Sequence, residues 1–591
     1  MLNPLRAYTF ALLVTFAVAA LAADSPWPAP VPGFVAPKAG EHPRLFFRSA
    51  DLPELKRRAQ TAEGMVIVER LRFLLNGSDG GTLPELFNPT RADKEGSGDF
   101  HKSAPDGKAF TLWHGAGYGM LFQLTDEKKY ADLGRQCAEK MLEGQRDRDD
   151  RYSFVGPHGA LRAGPSLGAM AMAYDLCHDG WDADFRKRVA LEIQNYNQGP
   201  NESLPDLALG KRLKPTSNHW GPQIGGGALA MLAILGDDGA EEAKLRPLLE
   251  ANAKCMVRNL TEGFGDGGYF HEHAGPGQIA SDTAFIPALQ AWRVAGGKDF
   301  ISPRPHVPAI TLIRCYELLR GRKETAYLLR HPSTYGTGKY PEDRTGLSRG
   351  GQFAQGFGAV REEHKPALLW TYNHLVEPDA ARRTYDTVSP YPHRALLALV
   401  NWPIGVAEKN PADVLPRVHH DSLKHYVVFR NRWQDADDII VTGLWGARAD
   451  GREALMIWGL GERIEWGECP KSSSSRVTGV RPDGSGVFTA QAVSLAVDFS
   501  NASGADALIV WTGPGAGGAA RGGGAKVRTQ RVTIGERIYD ILTLSAKGEH
   551  PEAKADGDSL AVGAQRVTFK DDGLFIQAPA TTPQPPANIP P

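Results

Sequence analysis

A glycine-rich stretch near the middle of the chain, GFGDGGYFHEHAGPGQ, concentrates side chains that are suited to proton transfer. Tyr269, His271 and His273 alternate along it, so an extended backbone would place them on one face and Glu272 on the other. A phenol and an imidazole can each act as general acid or base once their pKa values are tuned. The stretch predicts either a catalytic loop built from these residues or a polar loop with a structural role.

The same residues are poorly arranged to hold a metal ion. A zinc site needs a third ligand and usually His-Glu-x-x-His spacing, and His-Glu-His on a glycine-rich loop offers neither. A second group, His419, His420, Asp421 and His425, leaves a structural metal open as the alternative to a solvated linker. We predict no metal and no cofactor at the candidate catalytic residues.

A further constellation, Asn218, His219 and Trp220, lies directly before an apolar helical segment in KPTSNHWGPQIGGGALAMLAI. The amino end of a helix favours an anion, and both an asparagine amide and an imidazole can donate hydrogen bonds to a carboxylate. Asn218 and His219 are therefore candidates for neutralising a carboxylate. Alternatively, Asn218 or Ser217 only caps the helix and Trp220 only fills the core.

The elements that must position these residues change in character along the chain. Up to about residue 412, apolar residues recur at helical spacing in segments separated by short Gly, Asp and Pro breaks, with no fixed-period repeat. Such a series of helical hairpins favours an α/α toroid. Beyond residue 415 the segments are short, β-branched or aromatic, as is typical of antiparallel sandwiches.

We therefore predict a multidomain α and β protein. Its parts are a signal peptide over residues 1–23, an N-terminal α/α toroid over 24–412, a C-terminal antiparallel β-sandwich over 413–577, and a disordered proline-rich tail over 578–591. The first 23 residues combine Arg6, an apolar run and Ala-Leu-Ala-Ala, which predicts a secreted or periplasmic protein. We expect no membrane span, because no later segment is long and apolar enough.

Composition and cysteine spacing exclude several classes of protein. With 67 basic and 68 acidic residues the formal charge is −1, so binding to nucleic acid through bulk charge is excluded. Five widely spaced cysteines exclude a zinc ribbon or a dense disulfide framework. Nothing in the sequence indicates the oligomeric state.

Other polar residues precede predicted helices or occupy glycine-rich loops. Helix starts on one side of an α/α toroid line its cleft, and an arginine can hold a sugar carboxylate through two parallel hydrogen bonds. The alternative for each residue is a capping or surface role. The predicted substrate-binding residues are His114, His158, Arg162, Trp220, Arg344 and Arg349.

Three stretches resemble heparinase II/III-like proteins: HPRLFFRSADLPELKRRA, SNHWGPQIGGGALAMLAILGD and GDGGYFHEHAGPGQ. The resemblance implies a polysaccharide lyase that cleaves an acidic polysaccharide at a uronic acid by β-elimination. It implies that Asn218 and His219 neutralise the uronate carboxylate and that Tyr269 or one of the two histidines after it transfers the protons. Glu272 matches the family's glutamate and would orient one of these groups.

Two positions differ from the family pattern. The family's Glu-Gly turn leads into a tyrosine, whereas Glu272 is followed by HAGPGQIAS, and WGARADGREA, with Arg448 and Asp450, stands where members often have His-x-His-x-Asp. Either other residues transfer the protons, with His271 and His273 in place of the family's residues, or the activity has changed or been lost. Two alternatives stay open: a glycoside hydrolase that pairs Glu272 with Asp266 or Asp282, and a non-catalytic carbohydrate-binding protein.

Overall fold

The computed structural model describes residues 26–92, 107–272, 283–320, 326–328, 353–376, 389–446 and 452–577. The chain divides into two compact units. The first contains the described residues up to Cys315 and those from 353 to Val414, and the second contains those from Tyr316 to 328 and from Leu415 onward. Within these ranges, no helix combines the length and the apolar character needed to cross a membrane.

The first unit is mainly helical. The helices of the described residues are α1 (Leu52–Ala59), α2 (Ala62–Asn76), α3 (His114–Thr125), α4 (Lys128–Leu142), α5 (Ala160–Cys177), α6 (Ala183–Gln194), α7 (Leu204–Leu209), α8 (Trp220–Ile234), α9 (Glu242–Arg258), α10 (Phe285–Val294), α11 (His306–Glu317), α12 (Lys365–Thr371) and α13 (Pro392–Asn401).

Helices of two kinds make up this unit. Every residue of α8 is buried, as are nearly all residues of α5, because both sequences are apolar or small around the whole helix. In contrast, α4 and α9 each bury one stripe and expose charged residues on the opposite face. A helix that is apolar on all sides needs neighbours on all sides, so α5 and α8 lie inside and the amphipathic helices cover them.

The inner helices close into a ring. Successive neighbours around it are α3, α5, α8, α10, the short 3₁₀-helix Gln355–Ala359 and α13, and α13 packs in turn against α3. This closed ring with an outer layer of helices confirms the predicted α/α toroid.

Glycines allow α5 and α8 to approach with their backbones almost in contact. A Cβ atom on Gly164 would lie only 2.5 Å from the carbonyl oxygen of Pro222, and one on Gly168 would lie 3.2 Å from Leu229. Because both contacts advance in the same direction along the two helices, α5 and α8 run parallel. Their amino ends, which bear Arg162 and His219, therefore lie at the same end of the ring.

A buried polar cluster, here called the N-terminal clasp, fastens the N-terminal segment to the other end of α8. His42 Nδ1 lies 2.7 Å from Asp175 Oδ1 on α5, and His42 Nε2 lies 2.8 Å from Asp237 Oδ2. Arg44 donates through Nη2 to Asp237 Oδ1 at 2.6 Å and through Nη1 to the Leu235 carbonyl oxygen at 2.8 Å. All four ionisable side chains of the clasp are almost fully buried.

The second unit is built from antiparallel strands. The strands of the described residues, including the pair β1–β2 in the first unit, are β1 (Ala29–Pro30), β2 (Lys298–Asp299), β3 (Leu318–Arg320), β4 (Ala326–Leu328), β5 (Val418–Asp421), β6 (Tyr426–Arg430), β7 (Ile440–Leu444), β8 (Arg452–Gly459), β9 (Glu462–Pro470), β10 (Arg476–Thr478), β11 (Gly486–Ala490), β12 (Val493–Asp498), β13 (Ala507–Thr512), β14 (Val527–Ile534), β15 (Arg537–Leu544), β16 (Ala553–Asp556), β17 (Ser559–Val562), β18 (Gln565–Lys570) and β19 (Gly573–Ile576).

Three of the sheets stack as layers. A five-stranded sheet (order β5-β6-β7-β8-β9) packs on one face of a six-stranded sheet (order β10-β11-β12-β13-β15-β14), and a four-stranded sheet (order β16-β17-β18-β19) packs on the other. Ile509 and Val510, neighbours on β13, point into different cores. The predicted antiparallel β-sandwich is confirmed, and the third layer explains why β12 and β13 are buried along their whole length.

Candidate active site

Asn218 and His219 lie immediately before α8, at the end of the ring where α5 also begins. The backbone N–H of Asn218 donates to Glu272 Oε2 at 3.2 Å, and that of His219 donates to Ser217 Oγ at 3.3 Å. Asn218 is buried, and its Oδ1 has no hydrogen-bond partner among the described residues. Its amide oxygen is therefore held near the helix start without a hydrogen bond from any described residue.

A tight hairpin brings Glu272 to this place although it lies far away in sequence. Phe264 pairs with Phe270, and the N–H of His271 donates to the Gly263 carbonyl oxygen at 3.0 Å. The turn requires glycine at position 268, where φ is +75° and a Cβ would lie 2.5 Å from the backbone of the neighbouring α11. Burial raises the pKa of Glu272, while the Asn218 N–H opposes that rise.

The hairpin sends Tyr269 into the protein interior. Its side chain is 2% exposed, whereas His271 and Glu272, at the end of the hairpin, are half-buried. The sequence predicts that Tyr269 and His271 face the same cleft. In the structure, solvent reaches His271 but hardly reaches Tyr269. His273, Arg344 and Arg349 fall outside the described residues.

Arg162 lies in the first turn of α5, after Gly159, which ends the preceding loop with φ of +81°. The side chain is half-buried, and its Nε has no partner within the described parts of the chain. Burial lowers the pKa of His219, and the Arg162 guanidinium lowers it further. His219 is therefore a neutral imidazole at neutral pH, close to a guanidinium that forms no ion pair with any of the residues that the structure describes.

The remaining predicted residues lie elsewhere. His114 is fully buried, its Nδ1 accepts from the N–H of Thr111 at 3.0 Å, and burial lowers its pKa to about 3. Trp220 packs its ring against Gly210, with the Arg258 guanidinium 5.4 Å from the ring centroid. His158, in contrast, is exposed. Thus the structure brings together Asn218, His219, Glu272 and Arg162, while His114 and Trp220 are part of the packed interior.

Sequence reasoning missed a tyrosine at the same end of the ring. Tyr152 follows a charged run, 146–151, of which residues 146–150 are buried. The N–H of Asp147 donates to the Tyr152 carbonyl oxygen at 2.9 Å, and Asp147 Oδ2 accepts from the N–H of Leu112, before α3, at 2.8 Å. Burial raises the pKa of Asp147 to about 7. The available signal was a charged run that ends in an aromatic residue, with one short loop between it and the apolar helix α5.

The electrostatics of Tyr152 differ from those of His219. Burial raises the pKa of the Tyr152 phenol, and Arg162 opposes that rise. Tyr391, which directly precedes α13, also has its pKa raised by burial, with Asp147 and Tyr152 adding to the effect. Both phenols are therefore protonated at neutral pH.

Two clefts lie along α9. Their volumes are about 600 and about 710 Å³, and neither is lined by a histidine or tyrosine among the described residues. Their cations face carboxylates, for example Arg246 with Glu242 and Lys298 with Glu250. These clefts offer shape but no group suited to proton transfer near neutral pH.

One group of described residues has the spacing of metal ligands. His42, His178 and Asp237 present ligand atoms within 4.8 Å of one another. Asp237, however, already accepts from His42 and from the Arg44 guanidinium, whose charge repels a second cation. The group is therefore an ion-pair cluster belonging to the N-terminal clasp.

In the second unit, two of the histidines near residue 420 share a hydrogen-bond partner, and the third faces away from them. His420 Nε2 and His425 Nδ1 lie 2.9 and 3.0 Å from Ser475 Oγ. His419, the neighbour of His420 on β5, faces the other way and packs against Tyr316 with ring centroids 4.9 Å apart. Arg448 and Asp450 lie outside the described residues.

Comparison with known proteins gives matches among solved structures only. No family model and no curated protein matches the chain. A structure of heparinase III aligns with 10% sequence identity and a TM-score of 0.38 over 97% of this chain and 96% of that one. A heparan sulfate lyase from Pedobacter heparinus aligns with 10% identity and a TM-score of 0.38 over 78% of this chain and 81% of that one.

Proposed function

We propose that the protein is a polysaccharide lyase that cleaves a uronic-acid-containing polysaccharide by β-elimination at the start of α8. The observation that carries the proposal is the gathering there of a neutral imidazole, His219, a guanidinium, Arg162, and a buried amide side chain, Asn218. β-Elimination needs a base for the proton at C5 of the uronate, a counter-charge for its carboxylate and an acid for the leaving oxygen.

The counter-charge comes from Arg162 and the adjacent helix starts. Removing the C5 proton moves negative charge onto the carboxylate, so donors that bind the developing enolate lower the barrier. Arg162 offers a bidentate donor for a carboxylate, and the Asn218 amide offers a neutral one. The parallel amino ends of α5 and α8 add partial positive charge on the same side. Glu272 supports this arrangement by fixing the backbone of Asn218.

His219 and Tyr152 divide the proton transfers. Burial and Arg162 lower the pKa of His219, which keeps it ready to accept the C5 proton, whereas burial raises the pKa of Tyr152, which keeps it ready to donate. The C4–O4 bond breaks as the C4–C5 double bond forms, and the leaving oxygen takes the phenolic proton of Tyr152. Arg162 acts electrostatically on both residues.

The hydrolase alternative pairs Glu272 with Asp266 or Asp282. Asp266 lies at the tip of the hairpin, and Glu272 lies at the opposite end of that hairpin. Asp282 falls outside the described residues. The export predicted from residues 1–23 fits a polymeric substrate that is met outside the cytoplasm, and we keep it as part of the proposal.

The test is a substrate panel of heparan sulfate, alginate, glucuronan, ulvan and hyaluronan, followed both by ultraviolet absorbance and by release of reducing ends. A lyase produces both signals together, because each cleavage leaves an unsaturated uronate. Reducing ends without absorbance would identify a hydrolase, and binding without either signal would identify a carbohydrate-binding protein. Arg162→Ala should abolish both signals, while Arg188→Ala on α6 serves as the matched arginine control.

A further inference from the structure

A small pocket lies directly beside His219, between the start of α5, the segment after α6 and the start of α8. Its volume is about 310 Å³, which is at the lower end of the range for small-ligand sites. Its lining includes Ala160, Pro200, Lys211, Leu213, His219 and Gln223. His219 thus belongs both to this pocket and to the proposed catalytic group.

Gln223 stands out among these residues. It follows His219 by one turn of α8, is 0% exposed, and neither its Nε2 nor its Oε1 has a hydrogen-bond partner among the described residues. The close approach of Gly164 to Pro222 and Gln223 fixes the backbone at this point. A buried amide with both ends unused is rare in native proteins, because each lost hydrogen bond to water is uncompensated.

Other buried glutamines of the same unit are used by the fold. Gln123 donates through Nε2 to the Leu176 carbonyl oxygen at 2.8 Å, and Gln290 accepts from Asn401 Nδ2 at 2.8 Å. Gln145 donates to the Asn88 carbonyl oxygen. Burial of a glutamine in this unit therefore normally comes with a partner, and Gln223, on the wall of the pocket beside His219, is the exception.

The chemistry of the pocket matches one edge of a sugar ring. Leu213, Pro200 and Ala160 give apolar surface for the C–H face of a ring. Lys211 is paired with Asp206 at 2.7 Å, and Arg212, the other cation of the lining, is exposed. Among the buried residues of the lining, the Gln223 amide is available for polar recognition, and it offers one donor group and one acceptor side by side.

We propose that this pocket is a sugar subsite in which Gln223 binds an unsubstituted vicinal diol. One hydroxyl donates to Oε1 and its neighbour accepts from Nε2, so both unused atoms gain partners at once. The assignment rests on the proposed function in one respect: the diol belongs to the saccharide whose C5 proton His219 accepts. It names the substrate class further, because a ring alkylated or sulfated at the hydroxyl that faces Oε1 loses this donor and leaves Oε1 buried without a partner.

The test uses two probes that cannot be cleaved because they lack a 4-linked sugar: methyl glucuronoside and its 2,3-di-O-methyl derivative. Binding of both to the full-length protein is measured by ligand-detected nuclear magnetic resonance. The wild type should prefer the free diol by about 10-fold or more, as expected for a site built around substrate hydroxyls. In Gln223→Leu the preference should vanish, because leucine keeps the volume and removes both hydrogen-bonding atoms.

Thermal stability supplies the second readout. Gln223→Leu should leave Tm unchanged or raise it, since no native hydrogen bond is lost, whereas the matched variant Gln123→Leu should lower Tm by breaking the bond to Leu176. Retained diol preference in Gln223→Leu, or a Tm loss equal to that of Gln123→Leu, would overturn the subsite. The proposed function fails separately: a Gln223-dependent diol preference without unsaturated product from any polymer leaves the subsite standing and removes the lyase.

Discussion

The two ends of α8 bury polar groups in opposite ways. At its carboxyl end, the N-terminal clasp surrounds His42 with Asp175 and Asp237, and Arg44 completes the ion pairs. At its amino end, about 20 Å away by the rise of a helix of this length, Asn218 and Gln223 have buried atoms without partners in the described residues. The first arrangement stabilises the fold, and the second keeps hydrogen-bonding capacity available for a ligand.

Burial alone does not distinguish these two ends, because both contain buried polar groups. Hydrogen-bonded groups contribute to stability, whereas groups without partners lower it unless a ligand supplies the missing bonds. Substitutions at the amino end should therefore remove activity without loss of stability. Substitutions in the clasp should lower stability without removing activity from the folded protein.

The largest expected effect is that of His219→Ala on turnover. Loss of a positioned general base should lower kcat by about 100-fold to 10,000-fold. Because the His219 side chain caps no helix and is half-buried, Tm should stay close to that of the wild type. Steady-state kinetics with the best polymer of the panel, together with a thermal melt, checks both halves. A large fall in Tm would show that His219 stabilises the fold, as the clasp residues do.

Breaking the clasp should have the next largest effect, this time on stability. Asp237→Asn leaves His42 and Arg44 buried without their shared counter-charge, which typically costs about 3–5 kcal/mol. The neighbouring Asp238→Asn is the matched control, because that side chain is 78% exposed. Chemical denaturation of both variants measures the difference. Equal stabilities would show that the clasp does not hold the N-terminal segment.

The clasp should also make stability depend on pH at the alkaline side. Burial lowers the pKa of His42, but hydrogen bonds with Asp175 and Asp237 outweigh burial and raise it above 6.5. The contribution is therefore complete below about pH 6.5, the unfolded value, and is lost as pH rises through the higher folded value. Melting temperature measured across this range should fall in the wild type and change less in Asp237→Asn. A flat wild-type curve would contradict the charged-imidazole assignment.

Activity, in contrast to stability, should be lost on the acidic side. Burial and Arg162 lower the pKa of His219 below 6.5, and the base works only when deprotonated. The acidic limb of the pH–rate profile should thus lie below the ordinary histidine value, and Arg162→Gln should move that limb to higher pH. A limb that stays in place in the variant would show that Arg162 does not act on the base.

The smallest effect belongs to His158→Ala. His158 was predicted to bind substrate, but its side chain is exposed and its backbone N–H is used by the Arg151 carbonyl oxygen at 2.9 Å. Exposed substitutions of this kind usually change stability by less than about 0.5 kcal/mol. The variant should match the wild type in kcat/KM as well. A marked rise in KM would extend the substrate-binding surface beyond the start of α5.

Periodicity was sufficient to predict the architecture. Segments such as LGAMAMAYDLC and GGGALAMLAI continue a series of apolar helical segments, which predicts a toroid, and the short β-branched or aromatic segments beyond residue 415 predict antiparallel sheets. The four-stranded third layer was not predictable in this way, because β12 and β13 are apolar on both faces and local pattern does not say what covers the second face.

The candidate site was predictable only in part. Asn218 and His219 were found because they directly precede an apolar helix. The alternation of Tyr269 and His271 suggested equal access to a cleft, but the glycine turn at position 268 packs against α11 and the phenol becomes buried. The sequence also shows Gln223 as one more helical residue, since only the packed structure reveals that its amide has no described partner.

Elimination at the amino end of α8 can be read from the mass of the new non-reducing end produced from a uronic-acid oligosaccharide. We expect a product that is one water lighter than the hydrolysis product, formed by the wild type and lost in His219→Ala. A hydrated product, or an unsaturated product formed equally well by His219→Ala, would contradict it.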